Sequence, residues 1–167
     1  VPACIYEGDT IASLRMPTLY CFKPLNFKNN KQRQQYTRLV RNVKKTLPIA
    51  KEVNRAIIET YEFLQTLPDE KARQKHLNAV EKSVKEQYTP RMKKLTFAQG
   101  KLLIKLINRE TDSSSFELVK AFLGPFKAGF YQAFAAIFGA SLKKEYHPEG
   151  EDAMVEQIVL LVESGQI

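Results

Sequence analysis

The chain has 167 residues, of which 44% are hydrophobic and 26% charged, and its formal net charge is +8 at pH 7. This length suits one domain, able to bury roughly 70% of its unfolded surface, and the composition argues against a disordered or fibrous protein. No apolar run approaches the ~20 residues of a membrane-spanning helix, so we expect a soluble chain. The sequence begins at Val1 without an initiator methionine, which would fit removal of a secretory signal or simple trimming.

Residues 1–27 are predicted to form an extended β arm. Two short strand-like stretches flank Glu7-Gly8-Asp9, where a glycine at the first central position favours a tight hairpin. Residues 18–22 could supply another strand. Cys4 and Cys21 both lie in this arm, and their spacing fits either a disulfide in an oxidising compartment or two separate buried thiols.

Residues 28–167 have helical periodicity and predict a single helical domain. The first helix starts at Asn29 or Asn30, and Pro48 should end or kink it because proline lacks the N–H donor. The fold class is therefore mainly α, a single helical domain of about six to seven helices with a short N-terminal β arm or hairpin. The other helices are predicted from about residue 50 to Leu67, from Asp69 to about Lys94, over 96–110, from the turn 111–115 through Leu123, over 125–138, and from Glu151-Asp152 to Gly165.

The segment 95–110 is predicted to be the central helix of the fold. Thr96 and Gln99 form a T-x-x-Q capping box, in which each side chain satisfies a backbone amide of the other residue. The residues that follow are apolar on most of the helix circumference, which predicts burial by neighbours on nearly every side. Its polar end, Arg109-Glu110, is where a buried function could lie.

Basic residues crowd the first predicted helices. Residues 1–110 hold 22 Lys/Arg against 10 Asp/Glu, whereas residues 111–167 hold 4 against 8. Such a face could bind nucleic acid, an anionic envelope polymer or lipid head groups. The simpler interpretation, which we favour from the sequence, is a solvated face that meets the acidic C-terminal part. Between residues 28 and 55 the basic residues are Lys28, Lys31, Arg33, Arg38, Arg41, Lys44, Lys45, Lys51 and Arg55, against Glu52 alone.

Other candidates for chemistry have simpler explanations. The ridge Phe126, Phe130, Phe134 and Phe138 is more typical of a core than of a ligand site. An unrecognised hydrolase would need Arg109 and Glu110 in a solvent-filled pocket with Gln99 or Glu151 nearby. His76 and His147 have no ligand at metal-site spacing, so neither a metal nor a cofactor is predicted. The candidate binding residues are Arg38, Arg41, Lys44, Lys45, Gln99, Arg109 and Glu110.

Three blocks of the sequence carry a family resemblance. They are R-L-V-R-N-V-K-K at 38–45, L-T-F-A-Q-G-K-L-L-I-K-L-I at 95–107, and G-E-D at 150–152. Together they resemble an uncharacterised family of the Bacteroidota, catalogued as a domain of unknown function. The resemblance implies an N-terminal signal peptide and export to the periplasm or envelope, which would permit a bridge between Cys4 and Cys21. It implies no activity, ligand or catalytic residue.

The sequence thus predicts a non-enzymatic exported module that binds or scaffolds a component of the bacterial envelope. Its partner would be an unknown protein or an envelope polymer, and a free edge of the β arm could pair with a partner's sheet or a second copy. The alternatives are a protein that binds nucleic acid or another polyanion through residues 28–55, and the hydrolase described above.

Overall fold

A computed structural model describes residues 2–14, 16–113 and 146–167. Within these residues the chain is mainly helical and has a short antiparallel hairpin at its N-terminus, as the sequence predicts. No helix in this part of the chain is long and apolar enough to cross a membrane. In chain order the elements are β1 (Ala3–Tyr6), β2 (Asp9–Ala12), α1 (Asn30–Thr66), α2 (Glu70–Met92), α3 (Phe97–Ser113) and α4 (Ala153–Glu163).

The hairpin has a two-residue turn, because Tyr6 pairs with Asp9. Its central residues both have positive φ, 51° at Glu7 and 90° at Gly8, which is the pattern of a type I′ turn. Glycine therefore occupies the second central position, and the predicted first position is wrong. A type I′ turn also requires Glu7 to adopt a left-handed conformation, which we did not predict from the sequence.

The rest of the arm departs from two expectations. Residues 18–22 form no strand, and the backbone of Tyr20 instead bonds the side-chain amide of Gln166, at 2.8 Å through its N–H and 3.0 Å through its carbonyl. Cys4 and Cys21 are both exposed free thiols, neither bridged nor buried. One side-chain amide thus supplies the donor and acceptor that a neighbouring strand would have supplied.

Helix α1 is continuous through Pro48, so the two helices predicted on either side of it are one. The predicted total of six to seven helices is too high by one in the described residues, which form four helices where five were predicted. Pro48 itself is exposed, whereas Leu47 and Ile49 are buried beside it. Packing of these neighbours holds the helix together, and the carbonyl that loses its donor lies on the side where water can reach it. The predicted start is confirmed, because the Asn29 side chain accepts a hydrogen bond from the backbone of Gln32.

Helix α2 is polar and packs against the C-terminal half of α1. Asp69 caps it as predicted, accepting a hydrogen bond from the Ala72 N–H at 2.7 Å. At its far end the Arg91 guanidinium binds both carboxylate oxygens of Glu52 on α1. Apart from its last turns, α2 adds little to the hydrophobic core, which fits its low apolar content.

Helix α3 is the centre of the core, as its apolar circumference predicts. Its apolar side chains pack mainly against α1, α4 packs against α1 as well, and ion pairs described below join α3 to α4. Burial of apolar surface contributes about 25 cal/mol per Å², so this helix supplies a large share of the folding free energy. The buried residues of α3 are Leu102, Leu103, Ile104, Leu106 and Ile107, which join Val43, Leu47, Ala50, Val53 and Ile57 of α1 and Val155, Ile158 and Val159 of α4.

The ends of the last two helices differ from prediction. Helix α3 continues to Ser113, past the predicted turn at Thr111, because the Thr111 hydroxyl donates 3.0 Å bonds to the carbonyls of Ile107 and Asn108 and is buried in the helix. The helices expected from residues 115 to 138, with the phenylalanine ridge 126–138, lie outside the described residues. Helix α4 begins at Ala153, so the two acidic residues expected in its first turn precede it.

Candidate functional site

The strongest charged surface among the described residues is the basic face of α1, which we define as Arg33, Arg38, Arg41, Lys44 and Lys45. At 100° per residue these five positions fall within an arc of about 140°, on the side of α1 away from its buried residues. All five residues are exposed. A shallow cavity of about 420 Å³ runs along this face, lined by Asn30, Arg33, Gln34, Thr37, Arg38 and Arg41.

The basic face does not meet the acidic C-terminal part within the described residues. Of the nine basic residues between 28 and 55, Lys51 alone forms a salt bridge with a described carboxylate, that of Glu163. Four C-terminal acids, Glu151, Asp152, Glu156 and Glu163, form ion pairs with α3, as shown below. The segment 114–145, outside the described residues, carries four lysines and two glutamates, so it adds net positive charge. In the described part of the chain, the basic face is therefore a solvated surface that the C-terminal carboxylates do not neutralise.

Gln99 joins the start of α3 to the basic face. The predicted capping box is confirmed: the Gln99 side chain accepts from the Thr96 N–H at 3.1 Å, and the Thr96 hydroxyl accepts from the Gln99 N–H at 3.3 Å. The same amide donates to the Asn42 side chain at 3.0 Å and accepts from the Lys45 ammonium at 3.2 Å. Gln99 is 9% exposed, so this residue is a structural link between helices.

Replacing Gln99 with alanine should lower the free energy of unfolding by about 1 to 2 kcal/mol, because the cap is lost and the Asn42 amide loses a buried partner. Urea unfolding followed by circular dichroism measures this. Gln74→Ala is the matched control, since Gln74 makes one exposed bond to Asn78, and it should change stability by less than about 0.5 kcal/mol. Equal losses in the two variants would show that the capping box contributes nothing specific.

Arg109, the other predicted site residue, lies in a network of ion pairs between α3 and α4. Its guanidinium binds Glu156 through Nε at 2.7 Å and through a terminal nitrogen at 2.8 Å, and it also binds Glu110 at 2.7 Å and Glu163 at 3.3 Å. The Tyr146 hydroxyl donates to the same Glu156 carboxylate at 2.7 Å. The side chain of Arg109 is 13% exposed.

The electrostatics of this network keep every charge in place. Burial by itself would raise the pKa of Glu156, but the hydrogen bonds from Arg109 and Tyr146 lower it further than burial raises it. Burial opposes the charge of Arg109 as well, and the surrounding carboxylates nevertheless hold its pKa above the ordinary value. Burial and the Glu156 carboxylate raise the pKa of Tyr146. A paired guanidinium and carboxylate of this kind connect two helices; neither is poised to exchange a proton near neutral pH.

A second ion pair fixes the turn before α4. The Lys105 ammonium binds Asp152 at 2.6 Å and Glu151 at 2.8 Å. The second carboxylate oxygen of Asp152 accepts from the His147 backbone N–H at 3.1 Å. Because Asp152 is engaged in this way, its side chain does not cap α4. An open depression of about 610 Å³ lies at this turn, lined by residues 147–151.

The structure separates the seven predicted binding residues into three groups. Arg38, Arg41, Lys44 and Lys45 share the basic face, while Gln99 lies beside Lys45 at the start of α3. Arg109 and Glu110 lie at the opposite end of α3, about ten residues or 15 Å along the helix axis. The two depressions described above, along the basic face and at the turn before α4, are not lined by Arg109 or Glu110.

In the described residues, the contacts of Arg109 and Glu110 are those of a structural ion-pair network. Arg109 and Glu110 fill a helix junction, and Gln99 and Glu151 are each bound elsewhere. In the described part of the chain, no group of three or more His, Cys, Asp or Glu residues is arranged to hold a metal ion.

Sequence reasoning missed two residues that matter here and left a third, Arg33, out of the candidate binding residues. Arg33 belongs to the basic run, and its spacing of eight from Arg41 would have placed both on one side of α1. Glu156 and Tyr146 gave no signal, since Glu156 binds Arg109 from 47 positions away, Tyr146 binds Glu156 across the turn before α4, and such contacts depend on the tertiary fold.

In its described residues, the structure is thus a helical protein in which one helix face carries five exposed basic side chains, while acidic groups near the C-terminus form ion pairs between helices. A family model described as "Domain of unknown function (DUF4294)" matches residues 9–161. The chain belongs to this family. Comparisons with curated proteins and with solved structures gave no match.

Proposed function

We propose that this chain is a non-enzymatic binding module of the bacterial envelope that holds an anionic partner on the basic face of α1. The observation that carries the proposal is the exposure of five positive side chains on one side of a helix, without a salt bridge to any described carboxylate. Unneutralised charge of one sign concentrates anions at a surface and speeds their association. The envelope location rests on the family resemblance, which implies export.

The arrangement of the other charges supports this proposal. Other described basic groups are neutralised by carboxylates, as Arg91, Lys105 and Arg109 are. The basic face is held rigidly by the core on the opposite side of α1, and Gln99 fixes Lys45 beside it. A rigid array loses less conformational entropy on binding than flexible lysines of a disordered tail would.

The test is binding to heparin and to vesicles of anionic phospholipid across a salt series. Replacing Arg33, Arg38 and Arg41 together with glutamine should weaken binding to anionic vesicles roughly 100-fold, since each basic residue near such a surface contributes about 1 kcal/mol. The slope of log K against log salt should become shallower by about 2 to 3 for a densely charged polyanion.

The matched control replaces Lys71, Lys75 and Lys94 with glutamine, which removes the same charge from exposed positions on and after α2. This variant should bind almost as the unmodified protein does. Equal weakening in both triple variants would mean that net charge, and not the basic face, governs binding. Tighter binding to DNA than to the vesicles would favour the nucleic-acid alternative.

A further inference from the structure

The cavity along the basic face has a built arrangement of polar groups. Its floor is a line of uncharged side chains, Asn30, Gln34 and Thr37, which recur on one side of the helix. At 100° per residue, Arg33 lies on one side of this line and Arg38 on the other. Arg33 and Arg38 therefore flank the uncharged side chains on two sides, and Arg41 lies near the end of the cavity.

The side chains that form the floor can themselves contribute to binding. The Thr37 hydroxyl donates to the Arg33 carbonyl at 3.0 Å, so it faces the cavity as an acceptor only. The amides of Asn30 and Gln34 each supply two N–H donors. Together with the guanidinium groups, these donors make the cavity selective for a ligand rich in hydrogen-bond acceptors.

All three basic residues in the cavity are arginines, while the rest of the basic face is lysine. The distinction matters because arginine presents a planar fork of donors that binds oxyanions in pairs of parallel hydrogen bonds, whereas lysine acts as a point charge. Unlike Arg73, Arg91 and Arg109, these arginines form no salt bridge with a described carboxylate. Their donors therefore face solvent in the unliganded protein.

We propose that this cavity is a binding site for phosphate groups. A phosphate carries oxygens in several directions, so Arg33 and Arg38 can bind one group from opposite sides. A planar carboxylate presents both oxygens on one side and suits a single guanidinium. Along the helix axis, Arg41 lies about 4.5 Å beyond Arg38, and Arg33 lies about 7.5 Å before Arg38. The cavity therefore accommodates two or three successive phosphates. This inference rests on the proposed function and names its ligand chemistry.

The test retains the positive charges but removes the planar set of N–H donors that each guanidinium group presents. The variant Arg33→Lys, Arg38→Lys, Arg41→Lys retains all three positive charges. Binding of inorganic polyphosphate should weaken at least about tenfold in this variant, because bidentate contacts to phosphate are lost. Binding of polyglutamate of similar charge should change less than about threefold, since it depends on charge alone. Isothermal titration calorimetry measures both ligands with the full chain.

The outcomes separate this inference from the proposed function. The lysine variant could bind polyphosphate as tightly as the unmodified protein does, while the glutamine variant binds neither polymer. This result would contradict the phosphate site but would agree with the proposed anion-binding function. If the glutamine variant also binds both polymers normally, both proposals fall. Circular dichroism of each variant checks folding, which exposed substitutions on α1 should leave unchanged.

A competition experiment identifies the source of the phosphate. Bound polyphosphate is challenged with vesicles that contain phosphatidic acid and, separately, with a soluble sugar bisphosphate. Displacement by vesicles alone assigns the site to a lipid head group, and displacement by the soluble compound assigns it to a free phosphorylated ligand. Displacement by neither, at concentrations well above that of the polyphosphate, would overturn the assignment to phosphate groups.

Discussion

Replacing Leu103 with alanine is expected to lower the free energy of unfolding by about 3 to 4 kcal/mol. Leu103 lies in the middle of α3 and is fully buried, at 0% exposure. Its truncation removes apolar contacts and leaves a cavity, and such changes in protein cores cost about 2 to 5 kcal/mol. Urea unfolding monitored by far-ultraviolet circular dichroism gives the value, and the midpoint should fall without a change in the slope.

Leu14→Ala is the matched control for this experiment. Leu14 is 80% exposed, so the same chemical change should alter stability by less than about 0.5 kcal/mol. A loss at Leu103 as small as that at Leu14 would contradict the position of α3 at the centre of the core, and with it the packing that presents the basic face of α1.

Replacing Arg109 with methionine is expected to cost about 3 kcal/mol of folding free energy. The substitution keeps an apolar stem but leaves the carboxylates of Glu110, Glu156 and Glu163 close together without the guanidinium that they share. Removing one partner from a buried ion pair costs about 3 to 5 kcal/mol of folding free energy. Because the Arg109 side chain is 13% exposed, we expect a loss at the lower end of this range. Chemical unfolding at neutral pH measures the loss.

A surface ion pair provides the control. Lys82 and Glu86 lie 4.0 Å apart and are both mostly exposed, so Lys82→Met should change stability by about 0 to 1 kcal/mol. Comparable effects at positions 82 and 109 would show that the network between α3 and α4 contributes no more than an exposed pair.

The same network predicts a dependence of stability on pH. Hydrogen bonds from Arg109 and Tyr146 outweigh burial and lower the pKa of Glu156 in the folded state. The contribution of Glu156 is therefore fully present above its unfolded pKa of about 4.3 and is lost as the pH falls through the lower folded value. The stability difference between the unmodified protein and Glu156→Gln should be constant near neutral pH and shrink below about pH 4.

Local signals predicted the elements of the fold well. The caps at Asn29 and Asp69 and the capping box at Thr96 were identified correctly, because each is a contact between residues three positions apart. The hydrophobic periodicity of α3 likewise predicted its burial. Two errors occurred where a distant contact decides a local conformation: Pro48 stays helical since its neighbours are buried, and Asp152, expected in the first turn of α4, precedes the helix and binds Lys105.

The candidate site shows the same division. The run of basic residues and their helical spacing could be read from the sequence, so Arg38 and Arg41 were placed on one face correctly. The sequence could not show whether the C-terminal carboxylates neutralise that face, because this depends on which basic groups they reach in the folded chain. The structure brings Glu151 and Asp152 to Lys105, Glu156 to Arg109, and Glu163 to Arg109 and Lys51.

By itself, the sequence determined that this protein is mainly helical, where its central helix lies, and that its first helix carries a strong positive charge. These properties follow from composition and from contacts within one or two helical turns. The tertiary structure alone decided that Arg109 and Glu110 belong to a helix junction and that the described C-terminal carboxylates pair with α3 and Lys51, away from the basic face of α1. The physical reason is that an ion pair forms between groups that folding brings within a few ångströms, and pairing across 47 positions leaves no trace in local spacing.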